Sequence, residues 1–243
     1  ETGLGAIYNL GNKPFESFNE LETMMSQVRY RGPDSYQKYF SENIILGHRR
    51  LSIIDLDKSA NQPFFWKNKF VLIFNGAIYN YLEIKKELQV FGYKFQTSSD
   101  TEVLIAAYEK WGEVCLKKFN GMWSFLIWDI ENEKIFASRD RFGIKPLYWS
   151  KKNEKIFFAS EIKQLRSIGL GCNPNYDEIS KFVYSGMIGT TQETCFEGIM
   201  QIPAGHNLII NKNKEINLNQ WYDLKKETLK VKTHNDVMDI LYD

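Results

Sequence analysis

Five consecutive apolar residues, Phe70-Val-Leu-Ile-Phe74, run directly into Asn75-Gly76. A short continuous apolar run of this kind reads as a buried strand. Asn-Gly is a common turn dipeptide, so a turn is expected to stop the strand there. Such a turn would leave a carboxamide and a backbone N–H at the end of a rigid element, a good place to hold a developing negative charge. A plain hairpin turn with no chemistry is the simpler reading of the same two residues.

Composition bounds what surrounds this strand. The chain has 243 residues, 43% of them apolar and 15% aromatic, enough for one large domain or two small ones. Its 31 basic and 30 acidic residues nearly cancel, which argues against a nucleic-acid footprint or an acidic tail. No apolar stretch approaches the roughly 20 residues needed to cross a bilayer, so no membrane partner is expected. Cys115, Cys172 and Cys195 are scattered without a Cys-x-x-Cys pair, as expected for reduced thiols in a cytoplasmic protein. His48, His206 and His234 lie far apart, and no histidine metal site is expected. The start, Glu1-Thr2-Gly3, carries no basic and apolar leader and looks like an artificial extension of a natural sequence.

In order along the chain, Gly3–Tyr8 reads as a tightly packed strand, and Phe18, Leu21, Met24, Met25 and Val28 have helical spacing. Arg31-Gly-Pro-Asp34 ends that helix. Residues 44–55 read as one or two strands and Gln62-Pro-Phe-Phe65 as a loop. Tyr81, Ile84 and Leu88 mark a helix closed by Gly92. Ser99-Asp-Thr-Glu102 has the form of a capping box before a helix that Gly112 stops. Two hairpins follow, over 122–138 and 145–160, with the shared segment Asn-Glu-Lys-Ile-Phe on each return strand. A short helix over 175–184 and late strands over 195–199 and 206–210 come next. Residues 211–232 are polar and lysine-rich, with the character of a solvated hairpin or linker, and a last amphipathic helix begins near 233. Hairpin-linked strands with few helices predict an α+β domain with antiparallel sheets. No Gly-rich strand-to-helix loop of a nucleotide-binding fold is present.

Three polar features stand at the ends of apolar elements, where a scaffold presents chemistry. Arg50 could grip a carboxylate with two parallel hydrogen bonds, or serve a structural ion pair. Asp100 could accept an ammonium group, or simply cap its helix. Asn75 with Gly76 could form an oxyanion site. Together they would suit an α-amino acid bearing a side-chain amide, but spacing alone does not bring them together.

The motifs Arg31-Gly-Pro-Asp34, His48-Arg-Arg-Leu-Ser-Ile-Ile-Asp55, Gln62-Pro63, Asn75-Gly-Ala-Ile-Tyr-Asn80, Ser99-Asp-Thr-Glu102, Arg139-Asp-Arg-Phe-Gly-Ile-Lys-Pro-Leu-Tyr148 and Phe158-Ala-Ser-Glu-Ile-Lys163 occur in one order across nearly the whole chain. In this the sequence resembles the N-terminal glutaminase domain of glutamine-dependent asparagine synthetases, class II glutamine amidotransferases of the N-terminal-nucleophile (Ntn) hydrolase type. The resemblance implies a four-layer αββα sandwich: two antiparallel sheets flanked by helices. It implies a glutaminase domain over 1–232 and, from 233 to 243, the start of a C-terminal ATP-dependent synthetase domain, whose pyrophosphate loop is not in this sequence. It also implies glutamine as ligand, the synthetase domain as partner, no cofactor in this domain, and ATP and Mg in the synthetase domain; it admits a homodimer. In this family an N-terminal Cys attacks the glutamine amide with its own α-amino group as base. By position, Arg50 would hold the substrate α-carboxylate and Asp100 its ammonium, while the Asn75 side chain and Gly76 N–H would form the oxyanion hole.

Two departures stand out. Thr2 occupies the position of the family cysteine, with Glu1 in front of it, so the chain as written should not turn over. Either an artificial extension replaced the cysteine, or the natural protein lacks it, or Glu1 is removed. Ala77 stands where the family has the glutamate of Asn-Gly-Glu, which weakens the ammonium clamp. The competing readings are a non-catalytic binding or scaffold domain, and the amidotransferase domain of a specialised amide synthetase acting on an antibiotic, peptide or surface polysaccharide.

Overall fold

The computed structural model describes residues 2–50, 61–189 and 191–224. The continuation of the strand beyond Arg50 and the helix expected from 233 lie outside these residues. Among the described residues there are twelve strands, all paired antiparallel, in two six-stranded sheets.

The first sheet contains β1 (Gly3–Asn9), β2 (Ser35–Phe40), β3 (Ile44–Arg50), β8 (Tyr148–Lys152), β9 (Lys155–Ala159) and β10 (Ile199–Gln201), in the order β10-β8-β9-β1-β3-β2. The second contains β4 (Phe64–Trp66), β5 (Phe70–Ile78), β6 (Gly121–Asp129), β7 (Lys134–Arg139), β11 (His206–Ile210) and β12 (Ile216–Gln220), in the order β12-β11-β7-β6-β5-β4.

Alternation along the strands builds three buried layers. Leu4 and Ala6 of β1 meet Val71 and Ile73 of β5 between the sheets. Ile7 and Ile45 turn the other way, onto Leu21, Met24 and Met25 of α1 (Asn19–Ser26) and Leu165 of α4 (Ile162–Arg166). Phe70, Leu72 and Phe74 face α2 (Tyr81–Val90) and α3 (Asp100–Trp111), packing with Ile84, Leu88, Leu104 and Tyr108. The result is the expected αββα sandwich. β5 is covered on both faces, which is why its sequence is continuously apolar rather than alternating. A fifth helix, α5 (Tyr176–Ser185), is capped by the Asn175 side chain and buries none of its residues.

Both expected hairpins form, as β6–β7 and β8–β9. The second turns on Asn153 and Glu154, with φ of 49° and 57°. Several local expectations need correction. Asn75-Gly76 is not a turn: β5 continues to Ile78, with Asn75 opposite Ser124 and Gly76 opposite Trp123. Neither residue takes a positive φ. Gly76 is required for space, because a Cβ there would sit 2.1 Å from the Met122 carbonyl oxygen. Phe64–Trp66 forms a short edge strand on β5 rather than a loop. The late strand begins at Ile199, since Gly198 takes φ 75°. The polar stretch after 210, by contrast, does form a hairpin as its composition suggested, with β12 paired along β11.

The cap of α3 is only half the expected box. Ser99 Oγ accepts from Thr101 N at 3.1 Å. Glu102 reaches instead into the preceding loop, where Gln96 N, Thr97 N and Thr97 Oγ1 all donate to its carboxylate. Three convergent donors there outbid the single Ser99 N–H.

Candidate active site

Thr2 lies immediately before β1, and its hydroxyl donates to Asn75 Oδ1 at 2.9 Å. This bond crosses from the first sheet to the second, although the residues are 73 apart in sequence. Asn75 is only 2% exposed. With its carbonyl oxygen committed to Thr2, its Nδ2 is buried without a partner among the described residues. A buried donor left unpaired costs about 1–3 kcal/mol. An unpaired N–H is also what a developing oxyanion can use.

The backbone edge of β5 extends the site. β4 ends opposite Leu72, and among the described residues no strand borders β5 beyond it on that side. In an antiparallel ladder, alternate residues point their N–H and C=O to the same edge. On this edge Phe74 N donates to Gln62 Oε1 at 2.5 Å, and Ile78 N donates to Asp100 Oδ2 at 2.9 Å. The Gly76 N–H points to the same edge, between these two.

Asp100 is the first residue of α3 and is 5% exposed. Burial raises its pKa to about 6, against the hydrogen bonds from Ile78, Thr101 and its own backbone N–H, and from Ser99, which pull the other way. Its carboxylate therefore ties the start of the helix to the end of β5. Arg50 closes β3, is 8% exposed, and donates from Nη1 to Asn61 Oδ1 at 2.6 Å. The β1–β3 register pairs Gly3 with Arg49, so one step further sets Arg50 opposite Thr2. Ala77 is half-buried opposite Met122, one residue past the Gly76 edge position.

Thr2 and Asn75 thus touch, Gly76 adjoins them, and Asp100 and Arg50 approach from α3 and β3 at the same end of the sandwich. Two residues that the motifs contain, but to which sequence reasoning gave no role, also belong here. His48 Nε2 lies 3.0 Å from the Phe74 carbonyl oxygen. A carbonyl only accepts, so Nε2 carries the proton. Full burial lowers the His48 pKa to about 4; the bond to Phe74 opposes this and the Arg50 charge adds to it. Gln62 holds the amide of the same Phe74. Ser124, opposite Asn75, is fully buried with no partner for its hydroxyl among the described residues. No spacing rule connects positions 48, 62 and 74, which is why the sequence gave no signal for them beyond the motifs.

Other motifs prove to be scaffolding. Arg31 pairs with Glu161, joining two distant motifs. Asp140 accepts from Trp123 N at 3.1 Å and from Phe142, Ile144 and Lys145 N, while Arg139 donates to the carbonyls of Gly143, Lys145 and Ile202. Together they fix the loop beside β6.

Two facing antiparallel sheets between helical layers form the αββα sandwich, with the candidate site at the start of β1. Solved structures agree on the fold. The glutamine phosphoribosylpyrophosphate amidotransferase of Bacillus subtilis matches 90% of this chain and 49% of its own, with a TM-score of 0.65 and 18% identity. A structure of the allosteric regulatory enzyme of purine biosynthesis matches with a TM-score of 0.66. A family model for the glutamine amidotransferase domain matches residues 2–222, and the chain belongs to that family. Asparagine synthetase 1 of Bacillus subtilis is 33% identical over 92% of this chain and 36% of its own length. Asparagine synthetase 2 of the same organism is 37% identical over 86% and 29%, and an amidase of Gibberella zeae 36% identical over 85% and 30%. The chain is thus homologous to the glutaminase domains of asparagine synthetases, and it spans about a third of the length of these relatives. Among the described residues no helix is long and apolar enough to cross a membrane.

Proposed function

We propose that this end of the sandwich is a glutamine pocket, belonging to a domain that releases ammonia for ATP-dependent amidation of aspartate in an asparagine synthetase-like protein. The observation that carries the reading is the Thr2–Asn75 hydrogen bond, which sets position 2 against a buried carboxamide with an unspent donor. Arg50 would take the α-carboxylate of glutamine and Asp100 its ammonium group.

With cysteine as residue 2 and its amino group free, the sulfur attacks the amide carbon and the amino group carries the thiol proton. Asn75 Nδ2 and Gly76 N–H receive the oxyanion. Collapse expels ammonia and leaves a thioester, which water hydrolyses to glutamate. In this sequence residue 2 is threonine and its nitrogen is bonded to Glu1, so no such base is available and turnover is not expected. The domain needs no cofactor of its own; ATP and Mg would serve the synthetase part, and the setting would be the cytoplasm.

Ala77 favours a second reading, a non-catalytic domain or one serving a specialised amide synthetase, since the acidic side chain that completes the ammonium clamp is missing. The amidase relative is consistent with that specialised use. Replacing Thr2 by cysteine and removing Glu1 tests the first reading: glutamate release from glutamine is expected. If that variant is inactive and calorimetry detects no glutamine binding sensitive to Arg50→Ala, the scaffold reading stands instead.

A further inference from the structure

We infer that His48 and Gln62 are positioning residues that clamp Phe74, His48 holding the Phe74–Asn75 peptide by its carbonyl and Gln62 the preceding Ile73–Phe74 peptide by its N–H, and thereby aim the Asn75 carboxamide at position 2. The inference rests on the proposed oxyanion role of Asn75. β4 leaves the ladder at Phe64, so the backbone of Gln62 does not pair with Phe74 as regular register would have it. Side chains take over. Gln62 Oε1 accepts the Phe74 N–H and His48 Nε2 donates to the Phe74 carbonyl. That carbonyl belongs to the peptide whose nitrogen is Asn75. On the opposite edge Asn75 is paired with Ser124 of β6. The peptide is therefore gripped from both sides.

His48 reaches this point from the other sheet. It sits on β3 directly opposite Leu4 of β1, two residues from Thr2. It thus ties together the two elements whose separation sets the Thr2–Asn75 contact. A core role alone would be served better by an apolar side chain, as Leu46 serves two residues earlier on the same face. His48 is 1% exposed and leaves Nδ1 without a partner among the described residues, a cost in stability that a leucine would avoid. What leucine lacks is the N–H that fixes the peptide. Displacing a catalytic donor by about 1 Å can cost a hundredfold in rate.

The experiment compares His48→Leu, which fills the space without a donor, with His48→Gln, whose amide nitrogen reaches as far as Nε2. Both are made in the chain carrying an N-terminal cysteine at position 2. His48→Leu is expected to lower kcat for glutamine at least about tenfold with KM within about twofold, and His48→Gln to recover most of it. An unchanged kcat, or a loss that follows thermal stability and is not rescued by glutamine at position 48, overturns the inference. If the cysteine chain fails to turn over, the functional reading fails but the clamp is still testable in the unaltered chain. The 15N side-chain amide resonances of Asn75 should shift or broaden in His48→Leu and return in His48→Gln. Unmoved Asn75 resonances in His48→Leu refute the clamp.

Discussion

The two halves of β5 are built from one strand but held in different ways. Phe70–Leu72 is bordered by β4, backbone to backbone, and by β6 on the other side. Phe74–Ile78 keeps β6 but exchanges β4 for side chains: Gln62, His48 and Asp100. The first half is a structural element whose edge groups are all spent in a regular ladder. The second half has the same strand geometry, yet individual groups on its edge are held one at a time, and in the proposed reading the Gly76 N–H and the Asn75 amide are left for the substrate. Ending a neighbouring strand early frees the edge groups of a core strand for side chains instead of backbone.

Substitutions can separate the halves. The largest effect is expected from Gly76→Ala, since the new Cβ would lie 2.1 Å from a β6 carbonyl and 2.8 Å from Trp123 Cα. Backbone on both strands must move, and a loss of about 3 kcal/mol or more in urea unfolding, or failure to fold, is expected. Next come Leu72→Ala and Asn75→Ala, which should behave oppositely. Leu72→Ala in the first half should cost about 2–5 kcal/mol of stability and leave glutamine affinity unchanged in the folded fraction. Asn75→Ala should cost little stability, because it removes an unpaired donor, but should lower turnover of the cysteine-bearing chain about 10²–10³-fold.

The third prediction concerns pH. His48 has a folded pKa near 4 against an ordinary 6.5, so the unfolded chain binds more protons between those values and stability rises with pH across that window. Asp100 has a folded pKa near 6 against 3.8, so the folded chain holds the proton longer and stability falls with pH from about 4 to 6. Each amounts to roughly 3 kcal/mol, and the two nearly cancel. Asp100→Asn should therefore reveal a stability that climbs between pH 4 and 6.5, and His48→Gln one that declines between pH 4 and 6, measured by urea midpoints. The same Asp100 titration should weaken glutamine binding as pH drops below 6. The smallest effect is expected from Ser124→Ala opposite Asn75. Its hydroxyl is buried without a partner among the described residues, so the change should be neutral or stabilising by up to about 1 kcal/mol in a thermal melt.

Much of this was legible beforehand, and the exceptions are instructive. Helix limits followed from Ser99, Gly92 and Gly112, and both hairpins from their turn residues, because those signals act within a few residues. Asn75-Gly76 carried an equally strong local turn signal and did not obey it. Nine consecutive pairs with β6 hold β5 extended, and that long-range pairing outweighs a dipeptide preference. Glu102 was likewise read as a capping-box partner, but three donors in the loop before Ser99 claimed it.

The sequence by itself determined the elements, the continuous apolar character of β5, and the motifs that mark a glutamine amidotransferase domain. Those depend on short-range periodicity and residue type. Only the tertiary structure decided that Thr2 meets Asn75 across two sheets, that Asp100 holds Ile78, and that His48 and Gln62 hold the two peptide groups on either side of Phe74 in β5. These contacts join residues from 12 to 73 positions apart, and their geometry is fixed by sheet stacking and strand ends rather than by anything local to either partner.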